Sequence, residues 1–225
     1  MKLLIGNRNY STWSLRPWLV LRHFELGFED EVLLLSGPGW RENIAARSPT
    51  GKLPLLIDGD LMVPETIAII EYLAESFPAK AIWPRDRRDR ALARAAAAEM
   101  HAGFMQLRSH APMNLRASHP GKVDLDAVRK DLARVEALWG EHLGRSGGPY
   151  LFGEFSAADA MYAPLATRLR TYELPVSDMA GAYVEAIYAL PAFQDWLGQA
   201  LQEPWIVDDD EIDVMQGRVQ PGALA

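Results

Sequence analysis

Four hydroxyl side chains crowd one short stretch near the start of the chain, at Tyr10, Ser11, Thr12 and Ser14. A hydroxyl that donates a hydrogen bond favours the ionised form of the group it touches. A second candidate is Glu65-Thr66, which opens a helical pattern. A helix start offers free N–H groups and a positive dipole end to a carboxylate, and the Thr66 hydroxyl adds a donor. Glu65 can accept from an ammonium group. The same pair also reads as a plain N-cap and first-turn acid. Lys52 and the Trp40-Arg41 pair supply cations between these two clusters. The formal net charge is −7, so an anionic ligand is repelled overall and needs local positive groups such as these. Exposed lysines and arginines are, equally, often only solvated.

Other chemistries are poorly served. The chain has no cysteine, which removes disulfides, thiolate metal ligation and a cysteine nucleophile, and is compatible with a reducing cytoplasm. His101, His110 and His119 are spread out, and Glu99-Met100-His101 is not the zinc pattern with histidines four apart, so no metal is expected. The run Arg85 to Arg90 alternates with aspartates and reads as a solvated helix start or subunit contact rather than a nucleic-acid patch. No apolar run reaches the length of a membrane span, and the apolar stretch before Asn7 is too short for a signal peptide.

The elements that must position these groups fall into two regimes. Lys2 to Gly6 reads as a strand, Trp13 to Leu26 as a helix stopped by Gly27, and Glu31 to Leu35 as a second strand. That βαβ order predicts a parallel pair. A short helix is possible between Gly37-Pro38-Gly39 and Ser48-Pro49-Thr50-Gly51. Leu53 to Ile57 and Leu61 to Val63 then flank Asp58-Gly59, a hairpin signal, and Glu65 to Phe77 is helical up to Pro78. A mixed four-stranded sheet covered by helices buries these faces. Beyond a linker over 79–85 the strand signal nearly vanishes. Helices are expected from Arg87 to about His110, Asp124 to Leu143 and Ser156 to Arg170, with shorter ones to about Leu201. From Glu203 the tail, with its acidic run Asp208 to Glu211, reads either as a mobile terminus or as a strap.

Four segments resemble the cytosolic glutathione transferase superfamily, in order and spacing, across almost the whole chain. They are Gly51-Lys52-Leu53-Pro54, Glu65-Thr66-Ile67-Ala68-Ile69, Ile82-Trp83-Pro84, and Gly153-Glu154-Phe155-Ser156-Ala157-Ala158-Asp159. The resemblance implies a thioredoxin-like α/β domain over 1–78 that binds glutathione as co-substrate, and an all-helical domain over 86–225. It implies a cytoplasmic homodimer that takes a small apolar electrophile.

Composition alone reads Pro54 as an ordinary trans proline opening an edge strand, because cis bonds are rare. The resemblance implies a cis bond instead, with the Leu53 backbone pairing to the cysteinyl part of glutathione as a strand addition. It places Glu65 and Thr66 at the γ-glutamyl end, and Trp40, Arg41 and Lys52 at the glycine end. For the reacting thiol, the serine-type members of the family point to Ser11, with Tyr10 and Ser14 as alternatives. Trp13 stands where cysteine-type members carry their cysteine. The first loop shares part of the zeta-class motif, which leaves open a maleylacetoacetate-type isomerase; a non-catalytic binding module is the other alternative. Met100, Phe104, Leu107 and Arg108 are candidates for the second-substrate wall, although Met and Phe at helical spacing more often form core. Ser156 and Asp159 read as a helix-capping box, a folding device.

Overall fold

The computed structural model describes residues 1–213. It opens with β1 (Lys2–Ile5), α1 (Thr12–His23) and β2 (Glu29–Val32). Next come α2 (Trp40–Arg47), β3 (Leu55–Asp58), β4 (Leu61–Pro64) and α3 (Thr66–Ser76). The strands form one mixed sheet in the order β2-β1-β3-β4, with β1 parallel to β2 and antiparallel to β3. β1 is the central apolar strand: Leu3, Leu4 and Ile5 are wholly buried, each contributing about 1.5–3 kcal/mol of transfer free energy. Leu3 and Ile5 face the core shared with α1 and α3, while Leu4 joins Leu33, Ile44 and Leu55 under α2. The β3–β4 hairpin turns at Gly59, whose φ of 62° suits a residue without a Cβ.

β2 begins two residues earlier than its apolar pattern suggests. Its sequence, Glu-Asp-Glu-Val, lies at a partly exposed sheet edge, where parallel pairing of Lys2 to Ile5 with Glu29 to Val32 sets the register.

The remainder is helical: α4 (Arg87–Ala102), α5 (Met105–His110), α6 (Leu125–Ser146), α7 (Ala157–Thr171), α8 (Asp178–Ala189) and α9 (Pro191–Ala200). α7 is buried along nearly its whole length and packs against α1, α4 and α8. Its N-terminus carries the expected capping box, in which Asp159 Oδ2 accepts from the Ser156 N–H at 2.9 Å. Asp159 Oδ1 also accepts from Leu151 N–H and from the Tyr183 hydroxyl, each at 3.0 Å. The Ala157 N–H donates to Ile82 O at 2.7 Å, which ties the start of α7 to the segment joining the two halves.

The single helix expected from Arg87 to His110 is broken. Gly103 ends α4 where a Cβ would lie 2.8 Å from Glu99 O, and Phe104 adopts the left-handed conformation with φ 58°. The Phe104 ring packs edge-on against Tyr162, so burial of a large aromatic offsets the backbone cost.

The segment after α9 is a strap on the site-bearing loop. Glu203 accepts from the N–H groups of Arg8 and Asn9 at 2.8 and 3.2 Å. Val207 and Ile212 are buried, and a short turn of 3₁₀ helix spans Asp208–Asp210. The end of the acidic tail, 214–225, lies outside the described residues.

Candidate functional site

The loop after β1 and the start of α1 form one wall of a cleft of about 370 Å³. Ser11 is the N-cap of α1, yet its side chain makes no capping hydrogen bond. Its hydroxyl instead donates to Ser14 Oγ at 2.8 Å, and the residue lines the cleft at 8% exposure. Gly6 permits this arrangement, because a Cβ there would lie 3.0 Å from Ser11 Oγ and 2.7 Å from Leu35 Cδ1. Ser14 is fully buried, accepts from the Gly6 N–H at 3.0 Å, and does not reach the cleft.

Tyr10 also lines the cleft, but its hydroxyl is engaged elsewhere. It donates to Glu211 Oε1 at 2.5 Å and accepts from Arg116 Nη2 at 2.9 Å. Burial, reinforced by Glu211, pushes its phenol above the usual range, so it stays protonated. Of the four hydroxyls in this stretch, Ser11 and Thr12 line the cleft without a charged partner, and Ser11 is the one at the N-cap of α1.

The opposite wall comes from the sheet end and α2. Trp40, Gly51, Lys52 and Leu53 line it. The Leu53–Pro54 peptide is cis, with Pro54 buried behind the wall. Ser48 Oγ donates to Lys52 O at 2.7 Å and fixes this loop. Arg41 is exposed and stacks on Trp40 at 4.2 Å, outside the cleft wall.

The start of α3 is joined to the first turn of α1 by Thr66 Oγ1, which donates to Trp13 O at 2.9 Å. Its N-cap, Glu65, is exposed and holds φ at 77°, a conformation that non-glycine residues keep only where the surroundings over-determine it. The Glu65 carboxylate lies 3.7 Å from His101 Nε2. The unpaired amides of this helix start are a carboxylate site in kind.

The far end of the cleft is built differently from the expected Met and Phe wall. Met100 lies on the buried face of α4, which packs against α7, and Phe104 and Leu107 are buried in the same core. Arg108 does line the cleft, together with Pro112, Met113, Arg168 and Asp210. The Arg168 side chain is fixed by bonds to Ala111 O at 2.7 Å and Pro164 O at 3.0 Å. Burial, and then the charge of Arg108, push it down to about 10. Arg16 lies behind, wholly buried, donating to Met161 O at 2.9 Å. Arg16 and Arg108 both stack on the Trp13 ring, at 4.3 and 4.8 Å. Asp210 is the acid among these cations, and burial raises it to about 6 against the pull of Arg168.

Sequence reading had no hold on Arg168 or Asp210. Arg168 sits in a helix whose pattern is otherwise core, and Asp210 belongs to the acidic tail. The arginine at 168, following the mainly apolar stretch Ala160 to Ala166, is the signal that could have flagged the first. Among the described residues no group of three or more His, Asp or Glu could hold a metal ion, and no helix is long and apolar enough to cross a membrane.

Chemically, the cleft places the Ser11 and Thr12 hydroxyls between a backbone edge flanked by a lysine and a cationic, aromatic far end. That suits a peptide thiol on one side and an acceptor molecule on the other. Residues 10–76 match the family model for the glutathione S-transferase N-terminal domain, and residues 90–199 the model for the C-terminal domain. The chain is 30% identical over 203 residues to the glutathione S-transferase-like protein OpS6 of Beauveria bassiana, covering 84% of this chain and 86% of that one. It is 27% identical to a probable maleylacetoacetate isomerase of Vibrio cholerae, covering 86% and 94%. A crystal structure of a glutathione transferase homolog from Burkholderia with bound glutathione superposes with a TM-score of 0.69 at 28% identity, covering 90% and 98%. Matched along both its sheet-bearing and its helical halves, this chain belongs to the glutathione S-transferase family.

Proposed function

We propose that the protein is a glutathione transferase in which residues 1–78 hold the tripeptide and 86–225 shape the acceptor pocket. The observation that supports this most is the position of Ser11, an N-cap hydroxyl not used for capping, in the same cleft as Lys52 and Leu53. In this reading the cysteinyl backbone of glutathione pairs with Leu53 beside the cis proline. Glu65 and the amides at the start of α3 take the γ-glutamyl ammonium and carboxylate. Lys52, with Trp40, takes the glycine carboxylate. Ser11 turns from Ser14 toward the sulfur and donates to it, and the positive end of α1 adds to the stabilisation of the thiolate. The thiol proton passes to water. The thiolate then forms an S–C bond with the acceptor, whose leaving group departs with the bonding electron pair.

Arg108 and Arg168 favour a second reading, isomerisation of a carboxylate-bearing alkene by reversible thiolate addition, in which sulfur adds and is expelled after rotation. The family resemblance supports a cytoplasmic homodimer for either reading. Calorimetric titration with glutathione, alongside conjugation of glutathione to a chlorinated nitrobenzene, tests the proposal. Uptake of glutathione with measurable conjugation is expected. Uptake without either conjugation or isomerisation would leave a binding module, and no uptake would end the reading.

A further inference from the structure

The acceptor half of the cleft carries a carboxyl that the strap supplies. Asp210 lines the cleft with Arg108 and Arg168, and it is the anionic side chain in that wall. It comes from a segment fixed at several points. Val207 and Ile212 are buried on either side of it, Glu211 accepts from Tyr10 and Asn114, and Glu203 caps the Arg8 and Asn9 amides. Arg116 holds the strap from the other side, donating to the carbonyls of Glu203 and Trp205. With its segment so anchored, Asp210 is a built part of the pocket wall.

The charges in that wall are unequal. The lining of this wall carries two guanidiniums and one carboxylate, with the Arg16 guanidinium buried behind them, so Asp210 lowers the positive charge that a ligand meets. Lys52 also borders the cleft but lies at the glutathione end. We propose that Asp210 is a charge selector, which makes the acceptor half of the cleft penalise a second negative charge on the acceptor. The inference rests on the acceptor half assigned under the proposed function, and it ranks acceptors that carry at most one negative charge, with a flat apolar body to lie against Trp13, Pro112 and Met113, above doubly charged ones.

The charges acting on Asp210 are Arg168 from α7 and Asp209 and Glu211 on the strap, and Arg108 from α5, Lys52 and Tyr10 line the same cleft. The acids beside it and its burial raise its proton affinity, while Arg168 opposes them. Below about pH 6 the selector is therefore neutral, and the discrimination weakens.

The test is calorimetry with benzenesulfonate and benzene-1,3-disulfonate, whose charges do not change between pH 5.5 and 8 (about the working range of Asp210). Wild-type protein at the upper pH should gain little affinity from the second sulfonate. Asp210→Asn should tighten disulfonate binding about tenfold relative to monosulfonate, the lower end of what one neighbouring charge does to an ionic equilibrium. Asp60→Asn, at the exposed hairpin tip, makes the same change in net charge and should alter nothing. In wild type alone, acidification should tighten the disulfonate selectively, which keeps the test open if Asp210→Asn loosens the strap. An unchanged mono-to-di ratio in Asp210→Asn and across pH would overturn the proposal. Glutathione uptake is measured on the same samples. Its absence would remove the transferase reading while leaving the sulfonate result to stand or fall alone.

Discussion

Replacing Ser11 with alanine is the perturbation that bears most closely on the chemistry. The structure limits what the change can do. The Ser11 hydroxyl caps nothing and donates to Ser14 Oγ at 2.8 Å, so its loss leaves no helix end or buried amide exposed. A hydrogen bond to a charged group contributes about 1.5–3 kcal/mol. At 1.36 kcal/mol per unit, that corresponds to about 1–2 units in the pKa of the bound thiol. Ser11→Ala should therefore raise that pKa by about this amount and cut turnover about ten- to hundredfold below it, with glutathione affinity nearly unchanged. Ultraviolet titration of the thiolate in the binary complex, with the pH–rate profile, reads both quantities. Tyr10→Phe is the matched control: its hydroxyl is held by Glu211 and Arg116, so the thiol pKa should not move. Ser14→Ala should cost about 1–3 kcal/mol of stability by leaving the Gly6 N–H unpaired, and shift the thiol less than Ser11→Ala does. A Ser11→Ala protein with an unaltered profile, or a Tyr10→Phe protein with a shifted one, would refute the reasoning.

Glu65→Ala should weaken glutathione binding about tenfold or more, through loss of a charged partner for the ammonium, with little change in the thiol pKa of what still binds; calorimetry measures it. Arg116→Ala removes bonds to the Glu203 and Trp205 carbonyls and to Tyr10, so amide hydrogen exchange over 203–213 should speed up while that of α7 stays slow. Asp159 carries a pH signature. Burial holds it at about 6 in the fold against an ordinary 3.8, so between those values the native state binds the extra proton. Stability should thus fall as pH rises from about 4 to about 6, by up to about 3 kcal/mol, and level off above. Asp210 is raised over the same range and adds a similar fall in the same direction, so Asp159→Asn should remove about half of the combined slope in urea melts.

The fold was legible where local chemistry and global packing agree. Leu3 to Ile5 alternate between two cores, Asp58-Gly59 turns a hairpin, and Ser156 with Asp159 announces a helix start. The β2 edge was displaced because Glu29 to Val32 bury no clear face, so pairing with β1 rather than pattern decides the register. The break at Gly103 escaped because alanine-rich helical periodicity runs on through it, and only the packing of Phe104 on Tyr162 shows why the chain turns. In the cleft, Ser11, Lys52 and Leu53 come from short segments whose residue types carry their own meaning. Arg168 and Asp210 do not, since they reach the cleft from distant parts of the sequence, α7 and the strap, and acquire their role only from each other and from Arg108.

A crystal structure with glutathione bound tests the central claim most directly. The account predicts the sulfur at hydrogen-bonding distance from Ser11 Oγ, the cysteinyl backbone paired with Leu53, and the γ-glutamyl group at Glu65 and Thr66. A sulfur resting against Tyr10, or a tripeptide lodged away from the Leu53–Pro54 edge, would contradict it.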